Sequence, residues 1–304
     1  MPDIRAMRML VLGASGQIGY PVLLRLARDF PAAMISGTSR SGKAPGGYLG
    51  SNLSFQAFDP FQDDWAALGR ADVVINCIGQ IRATRDCPFE QIHMGLTQQL
   101  LAHRAAMGHP RIIQVSALGA GAHADVPFLA TKAAADQLLL EAGNAHIVRP
   151  SIVCSPDTML VRKLRQLHHI GRRLGGYLPV PAGFLDTRIQ PVRVEDVAAL
   201  IAALIRNSKA PTLIPAVGPE AISMGELLAL LDRGRAQPLN IRPFPRAWAA
   251  LLVRYVAQLF FPHLINEDQF RLLFADNTGE QETLRSLLGR APGDTRGFWE
   301  GQLK

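Results

Sequence analysis

Acidic residues are absent from the whole stretch between Asp29 and Asp59, and tyrosine occurs only four times in 304 residues, at Tyr20, Tyr48, Tyr177 and Tyr255. No apolar run reaches the roughly 20 residues that a membrane-spanning helix needs. The first residues lack the charged, apolar and small-residue succession of a secretory signal. Cysteine is scarce: Cys77, Cys87 and Cys154 show no metal-ligand spacing, so no metal is expected. Their odd number suits a reducing compartment, and a cytoplasmic location is expected, with peripheral membrane attachment left open. No helix-turn-helix, zinc-finger or aromatic RNA-binding signature is present, so no specific nucleic-acid partner is expected.

What remains is a chain able to build a large core, 48% hydrophobic and 19% charged. Its formal net charge is +7 and its pI about 9.8. That balance favours anionic partners such as nucleotides, acidic surfaces or anionic lipid, against the plainer alternative of a basic soluble protein.

Residues 7–150 alternate short apolar runs with longer amphipathic ones. "MRMLVLGAS" reads as a strand entering a glycine turn, and "GQIGYPVLLRLARDF" has helical spacing at Ile18, Val22, Leu23 and Leu26. "AMISGTSR", "LSFQAF", "DVVINCIG", "RIIQVSA" and "HIVRPS" are further strand candidates, with helices expected near 61–70, 88–108 and 127–143. Continuous apolar strands separated by helices predict an α/β fold, a doubly wound parallel sheet covered on both faces. After Pro150 the pattern changes. A basic helical stretch, "TMLVRKLRQLHHIGRRLGG", precedes a proline-rich turn, "LPVPAGF". "TRIQPVRVEDVAALIAALI" reads as a strand and a helix, "TLIPAVGP" as a strand, and "SMGELLALLDR" as a helix. The expected division is a dinucleotide-binding domain over 1–152 and a smaller, mostly helical annex over 153–304, packed on the sheet.

The most specific signal is "LVLGASGQIG". Gly13, Gly16 and Gly19 follow the first strand and open the first helix, with Ala14, Ser15, Gln17 and Ile18 between them. Glycines at this spacing let backbone amides approach a pyrophosphate at a helix N-terminus. An NAD site usually places Asp or Glu at the end of the second strand, on the ribose 2′-hydroxyl. Here "TSRSGK" supplies Ser39, Arg40 and Lys43 instead. Arginine can clamp a 2′-phosphate through charge-assisted bonds, so NADP is favoured over NAD. The alternative for Arg40 is a surface residue at a strand end.

With these residues the chain resembles the short-chain dehydrogenase/reductase superfamily, in its extended or atypical, epimerase-like branch. The resemblance rests on "GASGQIG", "SR" after the second strand, Asp59, "NCIG", "VSA", "KAAAD" at Lys132 and "RPS" at Arg149–Ser151. More narrowly, the chain resembles bacterial relatives of the reductase-like accessory subunit of respiratory complex I, through "QPVRVEDVA" and "LINEDQFRLLFADN". The resemblance implies dinucleotide contacts: Asp59 to the adenine, and Cys77, Ile78 and Gly79 beside the adenosine ribose. Val115 ends the strand beneath the cofactor, Lys132 meets the nicotinamide ribose, and Pro150, Ile152 and Val153 cover the nicotinamide. Ser116 falls at or near the family's catalytic serine.

One departure stands out. Active members place a tyrosine one helical turn before the lysine, as proton donor. This chain has Phe128 there, in "VPFLATKAAAD", and no tyrosine at that spacing. Two readings follow: a weakly or non-catalytic dinucleotide-binding protein with a structural, assembly or redox-sensing role, or a working oxidoreductase or epimerase using Ser116 and Lys132 alone. His123 is a further acid candidate or a solvated loop residue. A dinucleotide-sensing regulator is a third alternative. No small-molecule substrate is legible.

Arg162, Lys163, Arg165, Arg172 and Arg173 crowd one segment with His168 and His169, and "PRAWAALLVRYVAQLFFPHL" is apolar around most of a helix. These are either a solvated basic face and a core helix, or a docking surface for an anionic membrane or a membrane-associated complex.

Overall fold

The computed structural model describes residues 7–46, 50–80, 88–123, 125–155, 158–233, 238–248, 271–272 and 274–303. The apolar stretch after Trp248, Cys87, Tyr48 and Tyr255 lie outside the described residues. Two compact units make up the chain. The first comprises Met1–Pro150, Val194–Ala216 and Glu280–Pro292; the second comprises Ser151–Arg193, Val217–Gly279 and Gly293–Lys304.

The first unit is built on a seven-stranded sheet, and every pairing in it is parallel. Its strands are β1 (Arg8–Leu12), β2 (Met34–Ser39), β3 (Leu53–Ala57), β4 (Val73–Asn76), β5 (Arg111–Val115), β6 (Ala145–Pro150) and β11 (Leu213–Ala216). They lie in the order β11-β6-β5-β4-β1-β2-β3. All four residues of β4 are buried, as are four of the five in β1 and in β5, the mark of strands covered on both faces. Strand order reverses between β1 and β4, where α/β sheets bind ligands beyond the strands' carboxyl ends. The register puts Leu12 opposite Asn76 and Asn76 opposite Gln114. Gly13, Cys77 and Val115 therefore reach the same level at the carboxyl edge.

Helices pack on this sheet through regular apolar faces. Helix α1 (Gly19–Asp29) buries Gly19, Val22, Leu23 and Leu26, a spacing of three and four residues. Burying each of its large side chains contributes roughly 1.5–3 kcal/mol. A π-turn over Glu90–Gly95 runs directly into α2 (Leu96–Ala102), and α3 spans Pro127–Ala142. Proline opens α3 because its missing N–H would have had no partner in the first turn. Helix α5 (Val194–Arg206) is buried around most of its circumference.

The second unit has its own core, from Val161, Leu164, Leu178, Val180, Leu227 and Trp299 among others. Helix α4 spans Met159–Arg173 and α6 spans Met224–Asp232, the latter started by a reciprocal cap between Ser223 and Glu226. One segment differs from the sequence-based expectation. "YLPVP" is strand β8 (Tyr177–Pro181), not a turn, and it pairs in parallel with β13 (Asn240–Phe244). Leu178 and Val180 alternate inward, and a two-stranded sheet has only edge strands, where proline's missing donor is tolerated. Among the described residues no helix is long and apolar enough to cross a membrane, and no group of His, Cys, Asp and Glu could hold a metal ion.

Candidate dinucleotide site

The turn after β1 is made by glycine out of necessity. Gly13 has φ +72°, and a Cβ there would stand 2.9 Å from the Ile78 side chain and 3.0 Å from its backbone nitrogen. A Cβ on Gly19 would run into the carbonyl oxygen of Gly13. Gly16 donates its N–H to that same carbonyl at 3.0 Å, which closes the loop tightly. Ala14 is buried, Ser15, Gly16 and Gln17 are exposed, and Ile18 is half-buried at the start of α1. Ile18 offers no side-chain cap, and the first turn of α1 holds no acidic residue. Its amides and the positive end of the helix dipole thus face outward without a competing anion. A pyrophosphate fits these residues.

The end of β2 is tied to this loop. Ala14 donates its N–H to the Thr38 carbonyl at 2.8 Å. Thr38 and Ser39 are buried, whereas Arg40 and Lys43 are exposed just beyond them. The Ser39 and Ser41 hydroxyls lie 3.3 Å apart, and Ser41 Oγ also accepts from the Lys43 N–H at 3.3 Å. Asp59 is engaged locally: its carboxylate accepts the Phe61 N–H at 3.0 Å.

Beyond β4, the buried Asn76 uses both ends of its amide. Nδ2 donates to Gln114 Oε1 at 2.9 Å, and Oδ1 accepts the Ile78 N–H at 3.0 Å. Gln114 Nε2 in turn makes a long bond, 3.4 Å, to the Val115 carbonyl. Cys77 and Ile78 are half-buried and Gly79 is exposed. Burial pushes the Cys77 thiol up to about 12, against the pull of Lys132, so it is no thiolate near neutrality.

Lys132 and its neighbours form the other end. Lys132 is 5% exposed and donates from Nζ to the Val115 carbonyl at 3.1 Å. A Cβ on Gly79 would lie 3.2 Å from that nitrogen, so glycine leaves the ammonium its opening. Burial lowers the Lys132 pKa from 10.5 to about 8, and the charges of Asp136 and Cys77 oppose the fall. One turn along α3, Asp136 Oδ2 accepts from Ser116 Oγ at 2.8 Å and from Arg149 Nε at 2.9 Å. Its other oxygen is buried with no hydrogen-bond partner. Burial raises the Asp136 pKa against those two bonds and the nearby cations.

Phe128 is half-buried on the first turn of α3 and belongs to a trio of rings. Its centroid lies 5.5 Å from His93 and 5.7 Å from Phe89, both edge-on, while Phe89 stacks on His93 at 5.7 Å. His93 Nδ1 bonds Thr131 Oγ1 at 2.8 Å. Its Nε2 is buried with no partner of good geometry, although the Gln80 backbone is close enough to favour the protonated ring slightly. Burial, with Lys132 adding to it, depresses His93 to about 3, so the imidazole stays neutral.

The glycine loop, Ser39, Arg40, Lys43, Asp59, Cys77 to Gly79, Val115, Ser116, Phe128 and Lys132 all fall within the first unit. Pro150 ends β6 in the same unit, and its carbonyl accepts the Leu118 N–H at 2.8 Å. Ile152 and Val153 belong to the second unit, where Val153 lies in the two-residue strand β7 and pairs with Val192. His123 is a half-buried loop residue. His93, Thr131 and the Asn76–Gln114 pair were not singled out by sequence. Nothing distinguishes a buried histidine on "FEQIHMGLTQQLL" from an ordinary core position.

Comparison with known proteins agrees with this geometry. Residues 9–215 match the NAD dependent epimerase/dehydratase family. The mitochondrial NADH dehydrogenase [ubiquinone] 1 alpha subcomplex subunit 9 of Arabidopsis thaliana is 31% identical over 300 residues, covering 90% of this chain and 71% of that protein. The mitochondrial NADH-ubiquinone oxidoreductase 40 kDa subunit of Neurospora crassa is 27% identical, covering 95% of this chain and 76% of that protein. Among solved structures, a nucleoside-diphosphate-sugar epimerase from Staphylococcus aureus shares the fold with a TM-score of 0.73 at 18% identity, covering 97% of this chain and all of that one.

Proposed function

Since the chain belongs to the NAD dependent epimerase/dehydratase family, whose members bind a nicotinamide dinucleotide, we propose that it is an NADP(H)-binding protein of the short-chain dehydrogenase/reductase type with little or no catalytic turnover. Gly13, Gly16, Gly19 and the first amides of α1 hold the pyrophosphate, Arg40 and Lys43 take the 2′-phosphate, and Lys132 bonds the nicotinamide ribose. The bound dinucleotide would supply hydride chemistry; the protein must supply the proton. The carrying observation is Phe128. It fills the donor's place with a ring that has no hydroxyl, packed against His93 and Phe89. The remaining groups do not replace it: Ser116 spends its hydrogen on Asp136, and His93 is neutral with its proton-bearing capacity suppressed by burial. A second reading, turnover by Lys132 alone, draws on its pKa of about 8, which suits a general acid near neutrality.

We infer a structural, assembly or redox-sensing role at a membrane-associated complex; the relatives' names make those proteins subunits of NADH dehydrogenase or NADH-ubiquinone oxidoreductase, which supports membership of a larger assembly. The surface offered is α4, which contains no acidic residue and exposes Arg162, Arg165, His169 and Arg173 beside Ile170 and Leu174. This face suits anionic lipid and supports a peripheral position on the cytoplasmic side; absence of co-sedimentation with anionic vesicles at low salt would remove that part.

The deciding experiment has two readouts. Titration with NADPH and NADH should give tighter binding of NADPH, and Arg40→Ala should weaken NADPH by about one to two decades, the loss of a bidentate charged contact. NADPH oxidation with ketones, aldehydes and quinones should be slow. Equal affinities, or rapid turnover, would overturn the corresponding half of the reading.

A further inference from the structure

Tyr20 sits one residue past the glycine that opens α1. It is half-buried. Its hydroxyl lies against Gly46, so close that any side chain at 46 would collide with Tyr20 Oη. The glycine loop and the segment after β2 therefore meet twice. At one point Ala14 bonds the Thr38 carbonyl, and at the other the Tyr20 phenol touches Gly46. Residues 39–45 run between these two contacts and carry Ser39, Arg40, Ser41 and Lys43. The far side of that turn is fixed as well. Gly42 has φ +66°, and a Cβ there would stand 2.9 Å from the Ala57 backbone nitrogen on β3. Among the described residues the Tyr20 hydroxyl makes no hydrogen bond of its own.

We propose that Tyr20 is a specificity-determining residue, whose phenol hydroxyl donates to the 2′-phosphate and completes, with Arg40 and Lys43, an anion site that an unphosphorylated ribose leaves unused. This rests on the NADP(H) reading above. The pyrophosphate is served by backbone amides at the tip of α1, where side chains are not needed. The Tyr20 side chain leads instead to the segment bearing the two cations. A phenol hydroxyl is a hydrogen-bond donor that a phosphate oxygen can accept from. The ring also forms a wall against Gly46, at the end of the turn that bears Arg40 and Lys43. A phenylalanine would keep the wall and lose the donor.

The test uses 2′,5′-ADP and 5′-AMP, which differ only in the 2′-phosphate, titrated against wild type, Tyr20→Phe, Gly46→Ala and Arg40→Ala. Tyr20→Phe should bind 2′,5′-ADP about tenfold more weakly, the effect of one hydrogen bond to a charged group, and 5′-AMP within about twofold of wild type. Gly46→Ala, which drives a methyl group into the phenol, should reproduce the selective loss. Equal losses for both ligands would overturn the proposal, because Tyr20 would then only brace the glycine loop or meet the 5′-phosphate. An unchanged Tyr20→Phe alongside a weakened Arg40→Ala would overturn it while leaving the NADP(H) reading standing. Failure of that reading has a different signature: wild type binds both ligands alike and Arg40→Ala changes neither.

Discussion

The two ends of the dinucleotide site are made of different material. The phosphate end is backbone: Gly13 turned to φ +72°, Gly19 pressed on the Gly13 carbonyl, and the uncapped first turn of α1. The Lys132 end is side chain: an ammonium, a carboxylate serving both Ser116 and Arg149, and a neutral imidazole, all buried. Backbone geometry survives most substitutions outside the glycines, because amides are present whatever the residue. A side-chain constellation can lose its chemistry through one atom. On the proposed reading, the phenol oxygen missing at Phe128 takes away a proton donor while the backbone cradle for the cofactor stays, so such a protein would keep its cofactor without using it for catalysis.

Restoring the atom is the largest test of that contrast. Phe128→Tyr should raise NADPH-dependent carbonyl reduction by about 10²–10⁴-fold, the usual contribution of a general acid. The check is initial rate against the same carbonyl panel, with Phe128→Tyr/Lys132→Ala as control. A wild type that already turns over rapidly and ignores Lys132→Ala would erase the difference between the two ends.

At the phosphate end the damaging change is steric. Gly19→Val should reduce dinucleotide affinity by about a hundredfold or more, since two or more charge-assisted amide contacts are displaced. Circular dichroism should show the sheet intact. Unaltered affinity would mean that the loop does not hold the pyrophosphate.

A further effect, spread over several pH units, concerns stability at the Lys132 end. His93 is held near 3 when folded and titrates near 6.5 when unfolded. Between those values the unfolded chain binds the extra proton, so stability falls on acidification from about pH 6.5, by a few kcal/mol in total. Lys132 is shifted from 10.5 to about 8. The unfolded chain again holds more protons between those values, so its burial costs least at high pH, and stability gains about 3 kcal/mol from pH 8 to 10.5. Urea midpoints across pH should lose the acid slope in His93→Gln and the alkaline slope in Lys132→Met. Parallel curves for wild type and both variants would show that neither group is buried as described.

Legibility from sequence follows the same division. Apolar runs in "LVLGAS", "DVVINC" and "RIIQV" announce buried parallel strands, because burial on both faces leaves no polar position to disguise them. Glycine spacing announces the phosphate loop, because only glycine can make those approaches. Phe128 was legible only against a family pattern. His93 was not, since its partners Thr131 and Phe128 come from α3, far along the chain. "LPVPAGF" read as a turn because two prolines outweighed the alternation of Leu178 and Val180, which pairing with β13 makes decisive. "TLIPAVGP" reads as a strand, but its place beside β6 depends on a register that no local pattern records.

The amides of Asn76 and Gln114 can each be oriented in only one way. The Ile78 N–H points at Asn76, Asn76 at Gln114, and Gln114 at the Val115 carbonyl, where Lys132 arrives from the opposite side. Both outer members, a backbone N–H and an ammonium, are donors with nothing to accept. Turning either amide over would set hydrogen against hydrogen, so the row has a single direction with the Val115 oxygen as its sink. Gly13 rests on Ile78 at the head of the row, and Lys132 closes it. The floor of the site is thus a one-way row of hydrogens that runs from Ile78 to the Val115 carbonyl, the same oxygen that accepts from Lys132.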